Sequence, residues 1–132
     1  MLSPELNHKI LKLAPKHTVK DIAPDSFESL KAASTAGLVV YSGGSENTIY
    51  GDPRVNWAFR AWHDELHLKL NAPFTLEGET LVGLEQARLI GGDTLGLVMA
   101  SEVVGQVEYF QKHGSFPVDQ VAFLDNYLKG KV

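Results

Sequence analysis

Residues that can hold a metal ion or move a proton crowd into one short stretch, FRAWHDELHLKL, residues 59–70. His63 and His67 stand four residues apart. On a helix that spacing stacks both imidazoles on one face, where both can reach a single ion. Asp64 follows the first histidine and offers a carboxylate to orient an imidazole or to act as base on a water. Arg60 lies about one turn earlier and Asn56 a further turn earlier, on the same strip. Arg60 can hold an anionic substrate group, with Asn56 assisting.

The zinc-protease helix His-Glu-x-x-His uses this histidine spacing, with the glutamate as general base. Here Asp64 occupies the second position. Its carboxylate is one methylene shorter and reaches less far, which departs from the protease pattern. The adjacent His-Asp pair also resembles the metal-dependent phosphohydrolases named for it. Those need a separate histidine upstream and an aspartate downstream. His8 or His17 and Asp93 are available, without local context that supports the match. With Val55 at zero on a helical wheel, Val55, Phe59, Trp62, Leu66 and Leu70 form a core face. Asn56, Arg60, His63 and His67 run beside it, and Trp57, Ala61 and Leu68 make a second apolar patch beyond. A polar strip flanked by apolar surface on both sides suits the wall of a cleft. The plainer reading is a solvated strip in which Asp64 pairs with Arg60, for a few tenths of a kcal/mol.

A second segment, DTLGLVMASEVVGQVEYF, is apolar nearly all round and reads as a central helix. Glu102 is the one charged residue between Asp93 and Glu108. A buried carboxylate is costly unless it is paired, hydrogen-bonded or bound to metal. Glu102 is therefore read either as the third ligand beside His63 and His67 or as half of a salt bridge with Arg60 or Arg88. Gln106, one turn on, is a candidate substrate-binding residue. Two histidines and one carboxylate with an open position suit zinc or iron. Glu79 and Glu85 are possible further ligands. A di-metal bundle built on Glu-x-x-His pairs is a sharper variant, with Glu5-Leu-Asn-His8 at the full spacing and Asp64-x-x-His67 shortened.

The elements that must position these groups are mostly helices. Ser3 and Pro4 open one up to Leu13, and Asp25 or Ser26 caps another to about Ala33. LVVY and NTIY around Gly43-Gly44-Ser45 read as a β-hairpin. Asp52 and Pro53 open the histidine helix, which runs to about Leu70 before Asn71-Ala-Pro. Thr75 caps a helix over about Leu76–Ile90 that Gly91-Gly92 stops. Asp93 caps the next, to about His113, and a last helix ends at Gly130. The expected fold is mainly α, a bundle of five to six helices with one small hairpin, in a single domain over residues 1–132.

The 132 residues carry 44% hydrophobic and 21% charged side chains, which fits a globular chain. No cysteine is present, so thiolate metal sites, disulfides and cysteine nucleophiles are excluded. The net charge of −4 gives no footprint for nucleic acid, and acidic residues interleave with Lys9, Lys12, Lys16 and Lys20. No signal segment or membrane span is expected, which suits a cytoplasmic protein. No serine has a base and an orienting residue near it in sequence, and the Gly-Gly turn lacks a phosphate-loop lysine.

FRAWHDELH, FTLEGE, SEVVGQVEYF and FPVDQVAFL together resemble a family of small phage- and prophage-type proteins. The resemblance covers most of the helical part of the chain. It implies that the strip with His63, Asp64 and His67 is a family hallmark, and it implies no activity.

The leading expectation is a divalent-metal-binding helical protein acting as a metal-dependent hydrolase, with His63, His67 and Glu102 on the ion. Asp64 and Arg60 would act on the reaction, and Asn56, Arg60 and Gln106 would bind substrate. The alternative is a non-enzymatic interaction or oligomerising protein whose Arg60, Asp64 and Glu102 form a structural network. An exposed tryptophan beside the strip would favour that reading. Phe116, Val121, Phe123 and Leu124 read as the docking face of the last helix, or instead as a homo-oligomer contact.

Overall fold

The structure is a computed structural model. It describes residues 3–33, 37–43, 45, 48–91, 93–117 and 119–129, with the side chains of residues 93 and 94 excepted. Among these residues the chain forms six helices and two short strands: α1 (Pro4–Leu13), β1 (His17–Lys20), α2 (Phe27–Ala33), β2 (Leu38–Tyr41), α3 (Pro53–Leu70), α4 (Leu76–Ile90), α5 (Asp93–His113) and α6 (Gln120–Leu128). The fold is mainly α, as expected. No described helix is long and apolar enough to cross a membrane.

The helix starts follow from side-chain oxygens placed to accept orphan amides. Ser3 caps α1 by accepting from Leu6 N, and Asp52 caps α3 by accepting from Arg54 N with Pro53 in the first turn. Ser26 Oγ accepts from Ser29 N while Ser29 Oγ accepts from Ser26 N, a reciprocal cap on α2. Thr75 accepts from Gly78 N at 3.1 Å to start α4, and Asp119 accepts from Ala122 N at 3.1 Å to start α6. The expected turn at Gly44, the start of NTIY at Asn47 and the stops at Gly92 and Gly130 lie outside the described residues, as does the side chain of Asp93.

The expected hairpin is corrected. β2 pairs with β1, and the pair is parallel, in register from His17 opposite Leu38 to Lys20 opposite Tyr41. Parallel neighbours need a crossover instead of a tight turn, and α2 lies in that crossover. The run expected as the second hairpin strand is a turn at Thr48–Tyr50, closed by Gly51 N donating to Thr48 O at 3.2 Å. Ile49 and Tyr50 are buried there as core residues, and Asn7 Nδ2 pins the turn by donating to Tyr50 O at 2.8 Å. Their apolar and β-forming character serves burial, not pairing.

The core gathers Leu6 and Ile10 of α1, Val55, Trp62 and Leu66 of α3, Val82 and Ile90 of α4, and Met99 and Val103 of α5. α5 packs most extensively on α4. Gly83 lets the two approach, since a Cβ there would lie 3.0 Å from Val103 Cγ1. α3 packs across α1, α4 and β2, so its polar strip faces α4. Of the expected core face, Val55, Trp62 and Leu66 are buried, Phe59 is half-buried, and Leu70 at the helix end is 37% exposed.

Candidate metal centre

α3 carries His63 and His67 one turn apart, and the start of α4 meets them with Glu79. His63 Nε2 lies 2.7 Å from Glu79 Oε2, His67 Nε2 lies 3.1 Å from the same oxygen, and the two Nε2 atoms are 3.1 Å apart. Among the described residues this is the one group of three ligating side chains that converges. His67 has no exposed surface.

Local chemistry brings Glu79 there. Asn71 closes α3 in the left-handed region at φ 51°, and the chain turns back at once. Gly78, in the first turn of α4, sits so close under Pro73 that a Cβ would come within 1.9 Å of the Pro73 carbonyl oxygen. With only a hydrogen at that position, the first turn of α4 packs on the Pro73 backbone, and Glu79 is carried against α3. A carboxylate in the first turn of a helix also complements its dipole.

The other ring nitrogens are already committed. His63 Nδ1–H donates to Gln86 Oε1 at 2.8 Å, and His67 Nδ1–H donates to the Ala72 carbonyl at 2.7 Å. Outer hydrogen bonds of this kind fix the tautomer and orientation of metal-ligating histidines. They turn both Nε2 lone pairs inward, onto a carboxylate oxygen. Three acceptors 2.7–3.1 Å apart repel one another unless a cation or a proton bridges them. Ligand atoms of a tetrahedral zinc stand about 3.3 Å apart, from bond lengths of about 2.0 Å, so the triangle needs only a slight opening to hold one. Phe74 packs edge-on to His67 at 4.7 Å between ring centroids, and Phe59 lies 5.7 Å from His63, giving the cluster an apolar surround.

The charges reflect this arrangement. Burial works against ionised Glu79, but the hydrogen bonds and charges of His63 and His67 outweigh it and bring its pKa down to about 2. Burial pulls the His63 pKa down, and Glu79, with help from Gln86 and Asp64, overcomes it and leaves it above the ordinary value. Burial raises Asp64 to about 6 against the opposing pull of His63 and His67.

Comparison with protein families, curated proteins and solved structures finds no match for this chain. The site therefore rests on its own geometry.

A cavity of about 290 Å³ opens beside the cluster. Asn56, Arg60, His63, Asp64, Glu79, Glu102 and Gln106 all face it. The sequence strip and the buried glutamate thus share one space, with His67 behind the wall. Glu102 is not in the converging group, and Glu79, one of the two further candidates, takes the place expected for it. Glu102 accepts from Gln106 Nε2, which also donates to Gln120 Oε1 at 3.1 Å. It forms no ion pair with Arg60 or Arg88 among the described residues. Arg88 is bound to Glu85 on the surface, which also removes Glu85 from the cluster. Arg60 donates to the Tyr41 carbonyl and lies over the Tyr41 ring, 5.8 Å from its centroid, instead of closing on Asp64.

The di-metal variant does not form, since Glu5 and His8 are exposed and Glu5 faces Lys9 at 4.0 Å. His17 is bonded to the Pro15 carbonyl at 2.9 Å. Gln86, the acceptor that holds His63, is a residue of the cluster that the sequence alone does not single out. Its signal was faint: an amide amid the buried positions of α4, spaced four residues from Val82 and Ile90.

Proposed function

We propose that this protein is a divalent-metal hydrolase with a mononuclear centre on His63, His67 and Glu79. The observation that carries the reading is the inward convergence of two Nε2 atoms and one carboxylate oxygen, with both Nδ1 atoms held from behind, at the edge of a cavity. Two histidines and a carboxylate with one open position are the ligand set of hydrolytic zinc sites, and iron(II) takes the same set. A bound divalent cation supplies Lewis acidity and lowers the pKa of a water toward neutrality.

The residues around it have separable tasks in this reading. Gln86 and the Ala72 carbonyl keep the imidazoles in the ligating tautomer. Asp64, next to His63 and facing the cavity, receives the proton released by the attacking water. Asn56 and Gln106 offer amide groups to the substrate. Arg60, anchored on Tyr41, sets a positive charge at the wall.

A specific observation favours a rival without metal. Glu79 raises the His63 pKa, so a proton on His63 Nε2 shared with Glu79 can also relieve the three-acceptor clash. The triad would then be a buried ion pair joining α3 to α4.

Zinc titration against a chromophoric chelator separates the two. The hydrolase reading expects one equivalent bound by the wild-type protein and loss of that binding in His63→Ala and Glu79→Gln, with helical circular dichroism retained. A wild-type protein that takes up no zinc, iron or cobalt refutes it and leaves the ion pair.

A further inference from the structure

Glu102 has no task in the metal centre, yet it is a further ionisable side chain set deep in the same cavity. It is 3% exposed and stands on α5, across from the α3–α4 pair that bears the triangle. One carboxyl oxygen, Oε1, accepts from Gln106 Nε2. The other, Oε2, is buried without a hydrogen-bond partner among the described residues. Burial is the larger influence on its ionisation and lifts the pKa to about 8, against the opposing pull of Gln106. At neutral pH the group is therefore mostly a carboxylic acid. Because Gln106 supplies a donor to Oε1, the acid proton belongs on Oε2, where nothing among the described residues accepts it. A buried donor left unpaired costs free energy that a ligand acceptor recovers on binding.

We infer that Glu102 is the substrate-binding hydrogen-bond donor of this site, and that the group it receives is an uncharged oxygen acceptor, the alkoxy oxygen of a small ester. The inference rests on the metal reading of the His63–His67–Glu79 triangle, two members of which line the same cavity. The walls agree with an uncharged substrate. Phe59, Phe74, Val103 and Val107 give it apolar surface, and Asn56, Gln106 and Gln120 add neutral amides. Asp64 and Glu79 disfavour a negatively charged substrate beside the triangle, and the cation on the wall, Arg60, is already bonded to the Tyr41 carbonyl. In the reaction, water oxygen bonds to the acyl carbon and one water proton passes to Asp64. The carbon–oxygen bond to the leaving alcohol breaks, and Glu102 donates its proton to that oxygen. The Asp64 proton returns through solvent to Glu102, so ester and water give an acid and an alcohol.

The test uses hydroxamates, which bind zinc through their own two oxygens. Each carries a short tail in which one methylene is replaced by an ether oxygen at successive positions, measured against its all-carbon isostere. Zinc content and affinity are read by calorimetry on the same zinc-loaded samples of wild type, Glu102→Leu and Glu102→Gln. Wild type should favour the oxygen at one tail position by about tenfold. Glu102→Leu should bind full zinc and lose that preference. Glu102→Gln should keep much of it, because its amide nitrogen still donates. A wild type that holds zinc but favours oxygen nowhere refutes the inference and leaves the metal centre standing. Persistence of the preference in the leucine variant, or its loss in the glutamine variant, also refutes it. Loss of zinc from either variant makes Glu102 a ligand and overturns the donor role. Absence of zinc in wild type removes the metal reading, and the inference falls with it.

Discussion

Replacing Glu102 by glutamine should stabilise the metal-free protein in alkaline buffer and leave it nearly unchanged in acid. In the unfolded chain this carboxyl titrates near 4.5, and in the folded protein near 8. Between those values the folded state keeps a proton that the unfolded state has released. Raising the pH therefore favours unfolding throughout the window. The penalty is absent below the unfolded value, grows between the two, and levels off above the folded one. From pH 5 to pH 8.5 the difference amounts to on the order of 4 kcal/mol, at 1.36 kcal/mol per pKa unit. That is a large share of the roughly 5–15 kcal/mol that holds a domain together. Glutamine keeps an oxygen for Gln106 and cannot ionise. Tyr50, Arg60, His63, Asp64 and Glu79 share the surroundings of Glu102 and are present in both proteins, so subtracting the two curves cancels their titrations. The assay is urea unfolding of chelator-stripped protein, followed by the fluorescence of Trp57 and Trp62, at several pH values. Stabilities that agree within about 1 kcal/mol at pH 5 and separate by several kcal/mol at pH 8.5 would support the reasoning. Curves that run parallel within about 1 kcal/mol would refute it, and Glu102 would then be ionised in the folded protein.

Gln86→Leu should lower zinc affinity about 10- to 100-fold in a competition titration, because the outer hydrogen bond that fixes His63 is gone. Its stability should move by less than about 1 kcal/mol, since the lost bond to His63 is offset by removing the buried, unpartnered Nε2 of Gln86. Gly78→Ala should cost more than about 2 kcal/mol in urea unfolding and weaken zinc binding with it. The new methyl meets a backbone oxygen that cannot move aside, and the strain falls on the turn that carries Glu79.

How much of this was legible in the chain depended on the range of the signal. Caps and breakers act over three or four residues, so the limits of α1, α3 and α4 could be read from Ser3-Pro4, Asp52-Pro53, Thr75 and Gly91. The strand pairing could not. His17–Lys20 is only four residues long, and its partner lies beyond α2. Ile49 and Tyr50 carry β-forming character because they fill the core from a turn, and composition alone does not separate those uses. Nor did the tryptophans favour the interaction reading: Trp62 is 1% exposed, and half-buried Trp57 donates to the Ser42 carbonyl at 3.1 Å.

The two glutamates show where sequence reasoning ends. Glu102 announced itself as a lone charge in an apolar helix, and Glu79 sat among other acidic residues at a helix start with nothing to single it out. The burial cost that made Glu102 conspicuous has two remedies: a cation that keeps it charged, or a proton that removes the charge. Which one applies depends on what faces it, and Glu102 faces an amide. Glu79 faces two imidazoles because Asn71 turns the chain and Gly78 lets α4 start against Pro73. Those residues are local in sequence, but the contact they produce follows from the packing of α4 on α3. The pair that results is complementary: a carboxylate held charged at about pKa 2 beside the histidines, and a carboxyl held neutral at about 8 in the wall of the same cavity. Two carboxyl groups driven apart in this way are suited to opposite tasks, one to hold a cation and the other to give a proton.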